Sequence, residues 1–133
     1  MSAMPSEDTR RSTLRSAADA YFAALVRRDF DAIPYADDVV LRAPLAPGGA
    51  ANPLSGRETL RTVWWQPLMP ALENATVNVI DYYVNADASA ICVAAEITLP
   101  VANATLRVAD RFRVDADGRI TEQENHFDPR AVT

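Results

Sequence analysis

The chain reads as an α+β domain, with helices laid on one face of an antiparallel sheet. Three observations predict this. Helical spacing of apolar residues is confined to the first part of the chain and to a short stretch near residue 60. From about residue 75 onward, apolar and polar residues alternate in four runs joined by short turns. The order of these signals is helices, a strand, a helix, then consecutive strands. A curved sheet closed by helices encloses a pocket, and pockets are where small ligands bind.

From Asp8 to Arg28, Leu14, Ala18, Tyr21, Phe22 and Leu25 recur at helical spacing, which predicts an amphipathic helix. Residues 1–8 before it read as a flexible tail. "RRDFDAI" predicts a break and a second small helix with Asp29 as its N-cap. "DDVVLRAP" predicts a strand ended by Pro44, and "PLAPGGAANPLSG" a loop that frames the pocket entrance. Ser55 and Glu58 have capping-box spacing, so a helix is expected to start near Gly56 and to end or kink at Pro67. Trp64 follows its apolar stripe, as pocket wall or core; Trp65 is expected at the rim.

The four later strands are expected at about 75–84, 89–100, 104–115 and 119–127. In the third, Leu106, Val108, Asp110, Phe112 and Val114 share one face, while Arg107, Arg111 and Arg113 take the other. An acid on an apolar strand face loses solvation, which raises its pKa and favours the neutral form. In the second, Glu96 lies opposite the apolar Ile91, Val93, Ala95 and Ile97, as an acid of a dimer face or a pocket base.

The 133 residues fit one domain, 1–133. Hydrophobic content of 49% and charged content of 23% are ordinary for a globular protein. The net charge of −5 argues against nucleic acid as a partner. All 13 basic residues are arginine, so lysine chemistry is excluded. One Cys and one His give too few ligands for a zinc site, and no glycine-rich phosphate loop is present. No metal and no cofactor are expected. No apolar run spans a bilayer and none marks a secretion signal, so no membrane association and a cytoplasmic location are expected.

Three segments in order, "AYFAALVRRDFDAIPYADDVVLRAP", "LSGRETLR" and "RVADRFRVDADGRITEQENHFDP", resemble the nuclear transport factor two-like superfamily, in its SnoaL-like and ketosteroid isomerase-like branch. The resemblance covers about residues 12 to 130. It implies a single SnoaL-like domain: a cone-shaped curved antiparallel sheet wrapped around the N-terminal helices, a deep apolar pocket, a small apolar ligand and a homodimer. The superfamily hosts isomerases, cyclases, epoxide hydrolases, dehydratases and binding domains, so function has to be argued from the site.

Tyr21 stands where the steroid isomerases keep a tyrosine that donates to the developing oxyanion. Asp110 stands where they keep an aspartic acid that stays protonated. Their general base precedes the proline that ends the first strand; here that position is Ala43, which cannot take a proton. The resemblance further places Thr121, Gln123, Asn125 and Phe127 in the pocket, and Ile120, Glu122, Glu124 and His126 on the opposite face. Asn125 stands where epoxide hydrolases of the superfamily keep an acid; an amide can orient a ligand or a water but takes no proton. Asp128 in "FDP" caps the strand end and supports the C-terminal tail.

The candidate catalytic residues are therefore Tyr21 and Asp110. Trp64, Gln123, Asn125 and Phe127 are candidates for substrate contact, with His126 and Glu96 as weaker acid–base candidates. Three readings stay open: an enzyme of isomerase, cyclase or dehydratase type acting on an apolar carbonyl-bearing or cyclic molecule, a non-catalytic ligand-binding or accessory domain, and a protein-interaction domain.

Overall fold

The computed structural model describes residues 6–133. Helix α1 runs over Glu7–Arg27. Ser6 caps it: the Ser6 side chain accepts from the backbone N–H of Thr9 at 3.1 Å. Glu7 and Asp8 fill the first turn, where carboxylates favour the helix dipole. The tail expected over 1–8 is thus helical from Glu7, and the rest of that expectation, residues 1–5, lies outside the described residues. Arg28, in the left-handed region at φ 55°, closes the helix by donating its N–H to the carbonyls of the last turn. Leu14, Ala17, Ala18, Tyr21, Phe22 and Leu25 form the buried face. Arg10 leaves the helix to donate to the backbone oxygens of Ala88, Val114 and Asp115. It thereby pins the start of α1 to two hairpin turns.

A 3-10 turn follows at Phe30–Ala32; Asp29 sits at its cap position, but its side chain makes no cap hydrogen bond. Strands β1 (Tyr35–Arg42), β2 (Leu54–Ser55), β3 (Thr76–Val84), β4 (Ala90–Leu99), β5 (Ala104–Val114) and β6 (Ile120–His126) form one sheet in the order β2-β1-β6-β5-β4-β3. All neighbours are antiparallel except β1 and β6, which run parallel. The hairpins from β3 to β6 follow the alternation closely, and they carry the chain back across the sheet until β6 lies beside β1. In the last hairpin, Gly118 takes φ 83° while the Asp115 side chain accepts from the N–H groups of Asp117 and Arg119.

Between β2 and β3 lies a second helical stretch over residues 57–72. Its expected capping box does not form. Ser55 is occupied by pairing with Val40 of β1, the Gly56 N–H donates to the Val39 oxygen at 2.8 Å, and Glu58 pairs with Arg61 at 3.1 Å. Nor does Pro67 end the helix. Residues Leu60–Trp65 widen into a π-helix, with the N–H of Gln66 reaching back to Arg61, and Pro67 follows inside the next α turn. Widening by one residue absorbs a position where proline has no N–H to give. Trp65, expected at the rim, is 1% exposed and packs 5.7 Å from Phe30.

One register shift matters for the site. Arg113 pairs with Glu122, but Val114 pairs with Ile120, so Thr121 is an extra bulged residue. The bulge turns Ile120 into the core and takes Thr121 out of the inward row; Gln123 and Asn125 remain in it.

Candidate functional site

The inner face of the sheet, α1 and the second helical stretch enclose a cavity of about 230 Å³. Its wall is largely apolar: Leu25 from α1, Trp64, Leu68 and Leu72 from the second stretch, and Leu106 and Val108 from β5. Leu45 and Val132 approach it from the loop after β1 and from the C-terminal segment. Of the loop expected to frame the entrance, Leu45 is the residue that lines it. Phe127 lines the wall just past the end of β6. The cavity is smaller than the usual pocket for drug-sized ligands.

Three side chains bring polar chemistry into this wall: Tyr21, Asp110 and Asn125. Strand parity places Asp110 among apolar neighbours on β5, directly opposite Val93 on one side and Asn125 on the other. The arginines of the strand point away from it. The Asp110 carboxyl is 2% exposed, and its Oδ1 is buried without a hydrogen-bond partner. Desolvation alone pushes its pKa up to about 8, so at neutral pH the group is a carboxylic acid. Tyr21, 2% exposed, is held by its ring between Phe22 at 5.1 Å and Phe112 at 5.2 Å. Burial first, and the nearby Asp110 second, raise its phenol well above the usual value; hydrogen bonding from Gln123 and Asn125 acts in the opposite direction.

Gln123 does not reach the cavity. It is fully buried behind Asn125, giving its Nε2 hydrogen to Asn125 Oδ1 at 2.9 Å and accepting from the Tyr35 hydroxyl at 2.6 Å. This corrects the expectation that Gln123 contacts substrate. Tyr35 was missed in the sequence; the signal available was an aromatic on the inward parity of β1, obscured by the irregular register between Tyr35 and Val40.

The structure thus brings together Tyr21, Asp110, Asn125, Trp64 and Phe127. It does not bring Glu96 or His126 to them. Glu96 lies on the outer face of the sheet, 3.2 Å from Arg107, so it is not a pocket base. His126 is on the same outer face, 3.1 Å from Glu124 and well exposed. Ala43 forms part of the cavity wall and offers no acid–base group there. Asp128 accepts from the Arg130 N–H at 3.0 Å and pairs with its guanidinium, holding the 3-10 turn at Pro129–Ala131. Among the described residues, no group of His, Cys, Asp or Glu is placed to hold a metal ion, and no helix is long and apolar enough to cross a membrane.

A mixed sheet over a long helix, with polar groups inside an apolar cavity, is the fold shared with solved nuclear transport factor two-like proteins such as one of unknown function from Cytophaga hutchinsonii ATCC 33406, which superposes with a TM-score of 0.65 at 15% identity over 98% of this chain and 96% of its own. Within that class the chain belongs to the SnoaL-like domain family, whose model matches residues 18–123. Solved structures agree. The epoxide hydrolase/cyclase-like enzyme SalBIII, described in pyran ring formation in the polyether salinomycin, superposes with a TM-score of 0.73 at 16% identity, over 94% of this chain and 95% of its own. A SnoaL-like protein of unknown function from Burkholderia thailandensis E264 gives 0.71 at 16% identity, over 88% and 96%. A steroid delta-isomerase from Pseudomonas aeruginosa gives 0.66 at 21% identity, over 98% and 87%. At these identities the likeness is one of fold. No curated protein matches the chain.

Proposed function

We propose that the protein is a small-molecule enzyme that polarises one oxygen of an apolar, carbonyl-bearing or cyclic substrate, in a reaction of isomerase, cyclase or dehydratase type. The observation that carries this reading is the unpartnered Asp110 carboxyl, neutral at pH 7, in the same cavity wall as Tyr21. Folding alone gives no reason to bury an acid with no cation beside it. As a neutral acid it donates a hydrogen bond, or a proton, to the substrate oxygen, and a pKa near the working pH suits a general acid. Tyr21 supplies a second donor to the same oxygen. Each well-placed donor of this kind is worth roughly 3–4 kcal/mol of transition-state stabilisation. A proton lost from substrate carbon goes to water or to a basic group of the substrate, since the cavity wall offers no second carboxylate.

The test is turnover on a panel of enones, epoxides and polyketide-like ketones. Asp110→Ala is expected to lower the rate at least a hundredfold. The wild-type rate is expected to fall as pH rises through about 8, where Asp110 loses its proton. A rate unchanged by Asp110→Ala ends this reading.

A second reading, a ligand-binding or accessory domain without chemistry, is favoured by Ala43 in place of a base. Under it, Asp110→Asn changes the affinity for a panel compound while no compound is turned over.

A further inference from the structure

We propose that the Tyr35 hydroxyl, which never touches the cavity, sets the direction of a hydrogen-bond chain through Gln123 and Asn125, and thereby makes the polar end of the cavity selective for a guest oxygen that only accepts hydrogen bonds. This rests on the reading of the cavity as a ligand pocket.

The direction follows from counting protons. Tyr35 has one hydroxyl proton and is buried; it donates to Gln123 Oε1 at 2.6 Å. Gln123 therefore turns its Nε2 to Asn125, whose Oδ1 accepts at 2.9 Å. Asn125 lines the cavity, and with its oxygen turned to Gln123 the end left for the cavity side is its NH2. If Gln123 were turned over, its NH2 would face the Tyr35 oxygen and the Tyr35 proton would be buried without an acceptor, the costlier arrangement. Asn125 would then reverse too, and an acceptor would line the cavity in place of a donor. Tyr35 thus decides the polarity of a side chain two links away.

The cavity end then offers donors from three sources. Asn125 gives an N–H. Tyr21, which lines the same cavity, carries a hydroxyl proton that it can give to a guest. Asp110 lines the cavity as a neutral acid and so brings one O–H donor, with its Oδ1 left without a protein partner. A ketone, enone, ester or cyclic-ether oxygen on a small apolar body satisfies such a set. An alcohol of the same skeleton brings a proton with no acceptor to meet it. Tyr35 and Gln123 are positioning residues in this scheme; they touch no guest.

The experiment compares 1-indanone with 1-indanol by calorimetric titration at pH 7. The wild type is expected to bind the ketone at least tenfold more tightly than the alcohol. Tyr35→Phe, which keeps the ring packed on Phe30, is expected to bring that ratio close to one by weakening the ketone. A purely structural role for Tyr35 would weaken both compounds alike and leave the ratio unchanged, which overturns the proposal. Gln123→Glu, which has no N–H for Asn125, is expected to act in the same direction and serves if Tyr35→Phe does not fold. A ligand-free arm separates this proposal from the pocket reading. In the free wild-type protein, the Asn125 amide protons are expected to show nuclear Overhauser contacts to the Tyr21 ring. Contacts to the Gln123 side chain in their place would sink the chain's direction whatever binds. If neither indane compound binds, the pocket reading fails, and the amide contacts still decide the direction of the chain.

Discussion

Asp110 and Arg111 are neighbours in β5, yet they face opposite worlds. Arg111, on the outer face, lies 2.8 Å from Glu122 and 3.2 Å from Glu124, both on β6. Further along the same face Arg107 meets Glu96, and His126 meets Glu124. Every acid of that row has a basic neighbour. Asp110, on the inner face, has none, and its Oδ1 has no hydrogen-bond partner of any kind. The difference teaches where to look for function. Paired charges in half-exposed positions are what a folded sheet needs to stay solvated and in register. An unpaired, fully desolvated carboxyl works against folding, and its persistence needs a reason outside stability.

The largest effect that can test this contrast is in stability against pH. The folded-state pKa of Asp110 is about 8, far above the unfolded value near 4, so the native state holds a proton that the unfolded chain has lost across that interval. The Asp110 contribution to stability is therefore greatest below the unfolded pKa and declines as pH rises, until it levels off above about 8. At about 1.4 kcal/mol per pH unit, this one group removes about 3–4 kcal/mol between pH 5 and pH 8. Asp110→Asn is expected to abolish that part of the slope. Denaturant unfolding of both proteins at several pH values measures it. Parallel curves would show that Asp110 is solvated or paired, and the contrast between the two faces would be lost.

Tyr21→Phe comes next in size. The ring keeps its contacts with Phe22 and Phe112, so the fold and the apolar wall are retained. What is lost is one of the donors at the substrate oxygen. A rate loss of roughly ten- to a hundredfold is expected, smaller than for Asp110→Ala because the acid and Asn125 remain. Steady-state kinetics on a turned-over panel compound measures it. If Tyr21→Phe and Asp110→Ala were equally damaging and the double variant no worse, the two would act as one unit at one oxygen; independent losses would place them on different atoms.

The two faces also differ in how far the sequence reveals them. Alternation in β5 places Asp110 inward and Arg111 outward directly, because each side chain's face depends only on its parity. The same rule puts the ends of β3, β4, β5 and β6 within a residue or so of where they are found, and it keeps His126 out of the cavity. It fails at Thr121 and at the start of β1, where a bulge resets the count; a bulge is decided by pairing with the neighbouring strand, which a local pattern does not contain. Ser55 shows a different failure: a sound capping signal was overridden because β1 claimed the residue for a strand pair. The inward faces of Tyr21 and Asp110 are thus local facts, whereas the fold also needed the order of the elements and Asn125 was placed in the pocket by the family resemblance. The roles of Tyr35, Gln123 and the rim residues Leu45 and Val132 are tertiary facts, set by strands and segments that meet only in the folded chain.

The smallest expected effect falls on the outer face. Arg111 is about one-third exposed, and its two carboxylate partners are similarly placed, so water screens much of their attraction. Arg111→Ala is expected to cost within about 1 kcal/mol of stability, and less as salt is added. It leaves Glu122 and Glu124 close together without their shared cation. Turnover is expected to be unchanged, because no atom of Arg111 reaches the cavity. Unfolding at low and high salt, beside the rate on a panel compound, checks both halves. A large, salt-independent loss, or a changed rate, would mean that the outer ladder is coupled through β5 to the carboxyl on its other side. The two faces of the strand would then be one electrostatic unit, and the isolation that raises the Asp110 pKa would need another cause.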